Sequence, residues 1–116
     1  TLITYGTMVY VAEAAVQEAG FDVEIIDLRT LWPLDIEALI RSVRKTGRCL
    51  VLHEATRTGG FAGEVAAVVM EEGFASLKAP LRRVTGPDIP VPASPPLERF
   101  YIPGEDQLIA AVREIL

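Results

Sequence analysis

Cys49-Leu50-Val51-Leu52-His53-Glu54-Ala55 runs into Thr58-Gly59-Gly60-Phe61-Ala62-Gly63-Glu64, after which Val65, Val68 and Val69 recur at helical spacing. A short, continuous apolar run that stops at a glycine turn and restarts with a 3.6-residue period reads as strand, turn, helix. The same grammar repeats along the chain. Leu2 to Tyr5, Val23 to Leu28 and Leu81 to Thr85 supply three more apolar runs. They are continuous rather than alternating, as expected of strands covered on both faces.

Between the strands, Met8, Val11, Ala12, Ala15, Val16 and Ala19 form one helical stripe, ended by Gly20. Ile36, Leu39, Ile40 and Val43 form a second. Asp35 stands at its start, Arg44 and Lys45 lie in its last turn, and Gly47 follows, which suits the helix dipole and a glycine stop. Leu108, Ile109, Val112 and Ile115 mark the last helix, with Glu105 and Asp106 in its first turn. Alternating strands and helices imply parallel βαβ units. The fold class predicted is α/β: a three-layer α/β/α sandwich on a mainly parallel sheet, with four parallel strands in the chain.

The stretch from Gly86 to Pro103 holds six of the eight prolines. Proline fixes φ and removes a donor, so neither helix nor central strand is predicted there. Ile89, Val91, Leu97, Phe100, Tyr101 and Ile102 are too apolar for disorder. A stiff extended wrap over the domain or a neighbouring subunit is expected.

Composition narrows the function. The 116 residues suit one domain spanning 1–116. Half the residues are apolar, and the net charge is −5 with no basic block, which argues against nucleic acid. No apolar run approaches the roughly 20 residues of a membrane-spanning helix, so no membrane partner is expected. The single Cys49 cannot close an internal disulfide, and a reducing, cytoplasmic setting fits. The opening at Thr1, inside a strand, is what a piece of a longer subunit would show.

Each candidate site has a plain structural reading beside it. Gly6 and the Thr58-Gly59-Gly60 turn each stand between a strand and a helix, and free N–H groups at such a turn could take an anion. Simple turn geometry explains the same glycines. His53 with Glu54 could transfer protons, yet no nucleophile, metal set or cofactor motif accompanies them. A hydrogen-bonded histidine at a loop or interface is the simpler reading, with Glu54 paired to Arg29 or Arg57. Trp32 and the group Phe100-Tyr101-Ile102-Pro103 read equally as caps over the core or as interface anchors.

Four phrases, in order, carry a resemblance: Ile26-Asp27-Leu28-Arg29-Thr30-Leu31-Trp32-Pro33-Leu34-Asp35, Lys45-Thr46-Gly47-Arg48, the His53 to Glu64 stretch, and Arg83-Val84-Thr85-Gly86-Pro87-Asp88. Together they resemble the transketolase C-terminal-type domain of the beta subunit of thiamine-diphosphate-dependent 2-oxo acid dehydrogenases. The wording around His53 and the Phe-Tyr-Ile-Pro near the end look closer to the branched-chain than to the pyruvate enzymes.

The resemblance implies a five-stranded sheet in order 1-3-2-4-5, whose antiparallel first strand would lie upstream of Thr1. It implies thiamine diphosphate and magnesium in the parent enzyme, held outside these residues, and no catalytic, cofactor-binding or metal-binding residue within them. The implied role is assembly with an alpha subunit and a second beta subunit, and docking to the dihydrolipoyl acyltransferase core. A free-standing flavodoxin-like module for a small ligand or anion is the alternative. One departure stands out: the family's Leu-Asp/Glu-Ala-Pro is here Leu77-Lys78-Ala79-Pro80, so a cation faces the place where a basic docking domain is met. Leu116 and its carboxylate complete the candidate interface of Trp32, His53, Glu54, Lys78, Phe100 and Tyr101.

Overall fold

A computed structural model describes residues 1–116. Strands β1 (Leu2–Thr4), β2 (Ile25–Asp27), β3 (Leu50–Thr56) and β4 (Arg82–Gly86) form one sheet in the order β2-β1-β3-β4. Every pairing is parallel. Helices α1 (Met8–Ala19) and α5 (Glu105–Ile115) cover one face, and α2 (Ile36–Thr46) and α3 (Ala62–Gly73) cover the other. The predicted three-layer α/β/α sandwich is the observed architecture.

Side-chain alternation along the central strands divides the core. Leu2, Leu50 and Leu52 point to α1 and α5, where they meet Met8, Ala12, Leu108 and Val112. Ile3 and Val51 point to α2 and α3, against Leu39, Val43, Val65 and Val69. All of these are nearly or fully buried. Each Val, Leu, Ile or Met among them contributes on the order of 1.5–3 kcal/mol of transfer free energy.

The helix ends follow the sequence signals. Asp35 caps α2 by accepting the Ala38 amide at 3.0 Å. Gly47 ends α2 with φ of 73°, a left-handed turn that a side chain resists. Helix α5 is tied at its far end by Arg48, whose guanidinium donates to the carbonyls of Ile115 and, at 3.0 Å, Leu116.

Two local expectations need correction. The proline-rich stretch contains a short helix, α4 (Pro95–Tyr101). Pro95 and Pro96 occupy its first turn, where the missing N–H groups have no intrahelical partner to lose. Strand β3 also runs past His53 to Thr56, because the ladder resumes at Thr56–Gly86 after an irregularity.

Candidate functional site

Strand order reverses at β1, so the crevice lies at the carboxyl ends of β1 and β3. The first of these ends presents Tyr5 and Gly6, and the second presents His53 and the loop into α3. Alternation sends Tyr5 and His53 to the same side of the sheet. The Tyr5 hydroxyl and His53 Nδ1 are 3.0 Å apart and hydrogen-bonded. Tyr5 also stands edge-on to the rings of His53 and Phe61.

His53 has no exposed surface, and its Nε2 has no hydrogen-bond partner. Burial, reinforced by the nearby Arg83 guanidinium, holds its pKa below the ordinary imidazole value. The ring is therefore neutral at pH 7. Gly60 lies directly over it: a β-carbon there would come within 2.6 Å of His53 Cε1 and 2.3 Å of the Thr56 carbonyl oxygen. The glycine at this turn is required by close approach. Burial, and to a smaller degree the charge of Glu54, raises the pKa of Tyr5 above the usual phenol value.

The Thr58 turn is already engaged. Its amide donates to Asp88 Oδ1 at 2.8 Å and its hydroxyl to Oδ2 at 2.7 Å. These two bonds, the backbone one foremost, hold the Asp88 carboxyl below the usual carboxylate range. At the Thr58 end of the candidate anion position a carboxylate of the chain itself is bound, which ties the β3–α3 loop to the segment after β4. Gly6, across the crevice, is exposed and has no such neighbour.

The candidate interface residues divide. Trp32 is 91% exposed and Phe100 70% exposed, and Glu54, Lys78 and Leu116 are also on the surface. His53 and Tyr101 are buried. His53 faces inward because it falls on the same side of β3 as Val51. Tyr101 closes α4 onto the domain, its ring against Gly86. The expected pairing of Glu54 with Arg29 or Arg57 is not formed; Arg29 meets Asp27 at 2.8 Å. The Lys78 amide donates to the Gly47 carbonyl at 2.8 Å, and its methylene stem lies over Gly47. Its ammonium meets no carboxylate. Cys49 is buried, and burial pushes its thiol up to about 12.

Sequence reasoning missed the Asp88 clasp, although the Thr85-Gly86-Pro87-Asp88 phrase marked the place. It also missed that α3 is apolar nearly all round, with Glu64, Glu71 and Glu72 its only charged residues. A helix of that composition wants cover on two sides.

Residues 1–108 match the family described as the transketolase C-terminal domain, and the chain belongs to that family. Among curated proteins it is 53% identical, over 116 residues, to the 2-oxoisovalerate dehydrogenase subunit beta of Pseudomonas aeruginosa, covering 100% of this chain and 33% of that one. It is 40% identical over 119 residues to the subunit of the same name in Bacillus subtilis, covering 99% of this chain and 36% of the relative. The chain therefore spans about a third of the length of the curated relatives it matches. Among solved structures, a chain of a split-gene transketolase, in an inactive beta4 tetramer, superposes with a TM-score of 0.80 at 27% identity, covering 99% of this chain and 37% of that one.

The residues present do not fit a diphosphate–metal group. The Thr58 amide and hydroxyl are spent on Asp88, and no three of the His, Cys, Asp and Glu side chains gather in one place.

Proposed function

We propose that this chain is the non-catalytic assembly and docking domain of a 2-oxo acid dehydrogenase beta subunit, of the branched-chain type. The parent enzyme would decarboxylate a 2-oxo acid oxidatively on thiamine diphosphate and magnesium held by its other parts, and pass the acyl group to lipoyl groups. The partners are an alpha subunit, a second beta subunit and the dihydrolipoyl acyltransferase core, in the cytoplasm. Identity over the whole chain to two 2-oxoisovalerate dehydrogenase beta subunits supports the parent and its substrate class.

The observation that carries the assembly role is the exposure of Trp32 and Phe100, at 91% and 70%. An indole and a phenyl ring left in water, one in the middle of the β2–α2 loop and one on a short helix, are the side chains that anchor interfaces. His53 is a strut in this reading: it is enclosed, neutral and bonded to Tyr5. The anion-binding alternative is weakened by Asp88, which takes the Thr58 amide and hydroxyl.

Calorimetry of the chain with thiamine diphosphate and magnesium tests the division of labour. No heat of binding is expected. A micromolar dissociation constant would overturn the assignment of the cofactor to other parts of the enzyme.

A further inference from the structure

His53 is the one histidine of the chain, and it is fully buried with one ring nitrogen unused. A neutral imidazole has one donor nitrogen and one acceptor. Tyr5 satisfies Nδ1 at 3.0 Å, and Nε2 has no partner in either tautomer. The group that encloses Nε2 is backbone: a β-carbon on Gly60 would stand 3.1 Å from it. The roof over the ring is therefore the β3–α3 turn itself.

That turn is tied on one side of Gly59 and not on the other. Before it, the Thr58 amide and hydroxyl bind Asp88, and the Arg57 carbonyl accepts Arg83 Nη1 at 3.3 Å. After it, the hydrogen bonds of Gly60 and Phe61 run only to the first turn of α3, where the Gly63 and Val65 amides donate to their carbonyls at 3.0 and 3.1 Å. Gly59 has φ of 75°, is exposed, and an added β-carbon there would meet nothing within 4 Å. A glycine in open space between a tied and an untied segment is placed as a hinge.

A second ring proton would change this balance. The imidazolium has two donors, so Nε2–H needs an acceptor or water. The surrounding elements supply no anion. On β1 the facing group is the Tyr5 hydroxyl, already used at Nδ1. On β4 it is Arg83, whose charge opposes the proton. Glu54 beside it on β3 and Glu64 in the first turn of α3 are exposed, and neither bonds the ring. Arg57 in the loop and Glu37, Arg41, Arg44 and Lys45 on α2 are exposed as well.

We propose that His53 works a pH-sensitive latch: when its ring takes a second proton, Gly60 and Phe61 swing away about Gly59 and admit water to Nε2 at the carboxyl ends of β1 and β3, while Asp88 keeps its hold on Thr58. The hold persists because Asp88 stays ionised well below the range in which an imidazole titrates. Opening takes up one proton. The open population therefore grows by up to about ten-fold for each pH unit below about 6.5, the value of a solvated imidazole. The latch stands apart from the assembly role, since neither Trp32 nor Phe100 takes part in it.

Hydrogen exchange of the Gly63 and Val65 amides reads the opening, because their acceptors lie on the moving residues. Corrected for the intrinsic effect of pH, their protection should fall about five- to ten-fold per pH unit between about pH 6.5 and pH 5. As a local opening it should also be insensitive to about 1 M urea. His53→Gln keeps a hydrogen-bonding group that cannot charge, and should make the protection flat with pH. Imidazole nitrogen chemical shifts of the wild type give a readout that needs no variant: the second proton should arrive while Val51 and Leu52 keep native shifts. Wild-type protection independent of pH, or a slope that persists in His53→Gln, would overturn the proposal. So would protection lost only together with the amides of the β3 core, or a ring that stays neutral until the chain unfolds.

Discussion

Thr58 holds Asp88 with two hydrogen bonds, amide to Oδ1 at 2.8 Å and hydroxyl to Oδ2 at 2.7 Å, across thirty residues of sequence. Both bonds favour the ionised carboxylate, so the clasp depends on pH. The folded pKa lies below the ordinary value of about 3.9. Its stabilisation is therefore full above that value and is lost as pH falls through the folded pKa. Thermal melts between about pH 5 and pH 2 should show a steeper decline for the wild type than for Asp88→Asn. Parallel curves would mean that the clasp does not persist in solution.

His53 gives a second acid sensitivity in a different window. Its folded pKa is lowered, by burial first and by Arg83 second, so the unfolded chain binds more protons. Stability is full above about pH 6.5 and declines as pH falls below it toward the folded value. His53→Gln should flatten the melting temperature across that window. A wild-type curve already flat from about pH 7 to pH 5 would contradict the buried, neutral imidazole.

Gly60 and Gly63 separate close approach from helix propensity. Gly60→Ala places a methyl 2.3 Å from the Thr56 carbonyl oxygen and 2.6 Å from His53 Cε1. It should cost about 1–3 kcal/mol or more. Gly63→Ala meets nothing nearer than Arg83 Nη1 at 3.8 Å and lies in α3. It should gain up to about 0.5–1 kcal/mol. Denaturant unfolding of the two variants checks the contrast, and equal effects would place the Gly60 turn elsewhere.

Cys49 should be inert. Its thiol is enclosed and pushed up to about 12, so almost no thiolate exists at pH 8. An alkylating reagent should modify it only at the rate of unfolding. Rapid labelling of the native chain would show that β3 opens.

The layers were legible in the sequence because period and punctuation agree, whereas the strand order β2-β1-β3-β4 was reached only through the family resemblance. Leu39, Ile40 and Val43 mark a face, Asp35 and Gly47 mark its ends, and both ends hold in the structure. Sequence gave no access to contacts between distant segments. Nothing local pairs Thr58 with Asp88, or says that Tyr5 will meet His53 rather than solvent. His53 was expected at a surface because it ends an apolar run. One further residue of alternation turned it inward, and the strand continued to Thr56. Helix α4 was hidden because proline content speaks against helix interiors, whereas Pro95 and Pro96 sit in the first turn.

The central claim is that these residues assemble an enzyme rather than perform its chemistry, and sedimentation velocity on the alpha–beta enzyme carrying Trp32→Ala and Phe100→Ala tests it most directly. Interface anchors of this kind typically cost 2 kcal/mol or more when truncated, about thirty-fold in a dissociation constant. The expected result is dissociation at concentrations where the wild type stays intact, with turnover per assembled complex unchanged. Intact assembly with turnover lost would contradict the account.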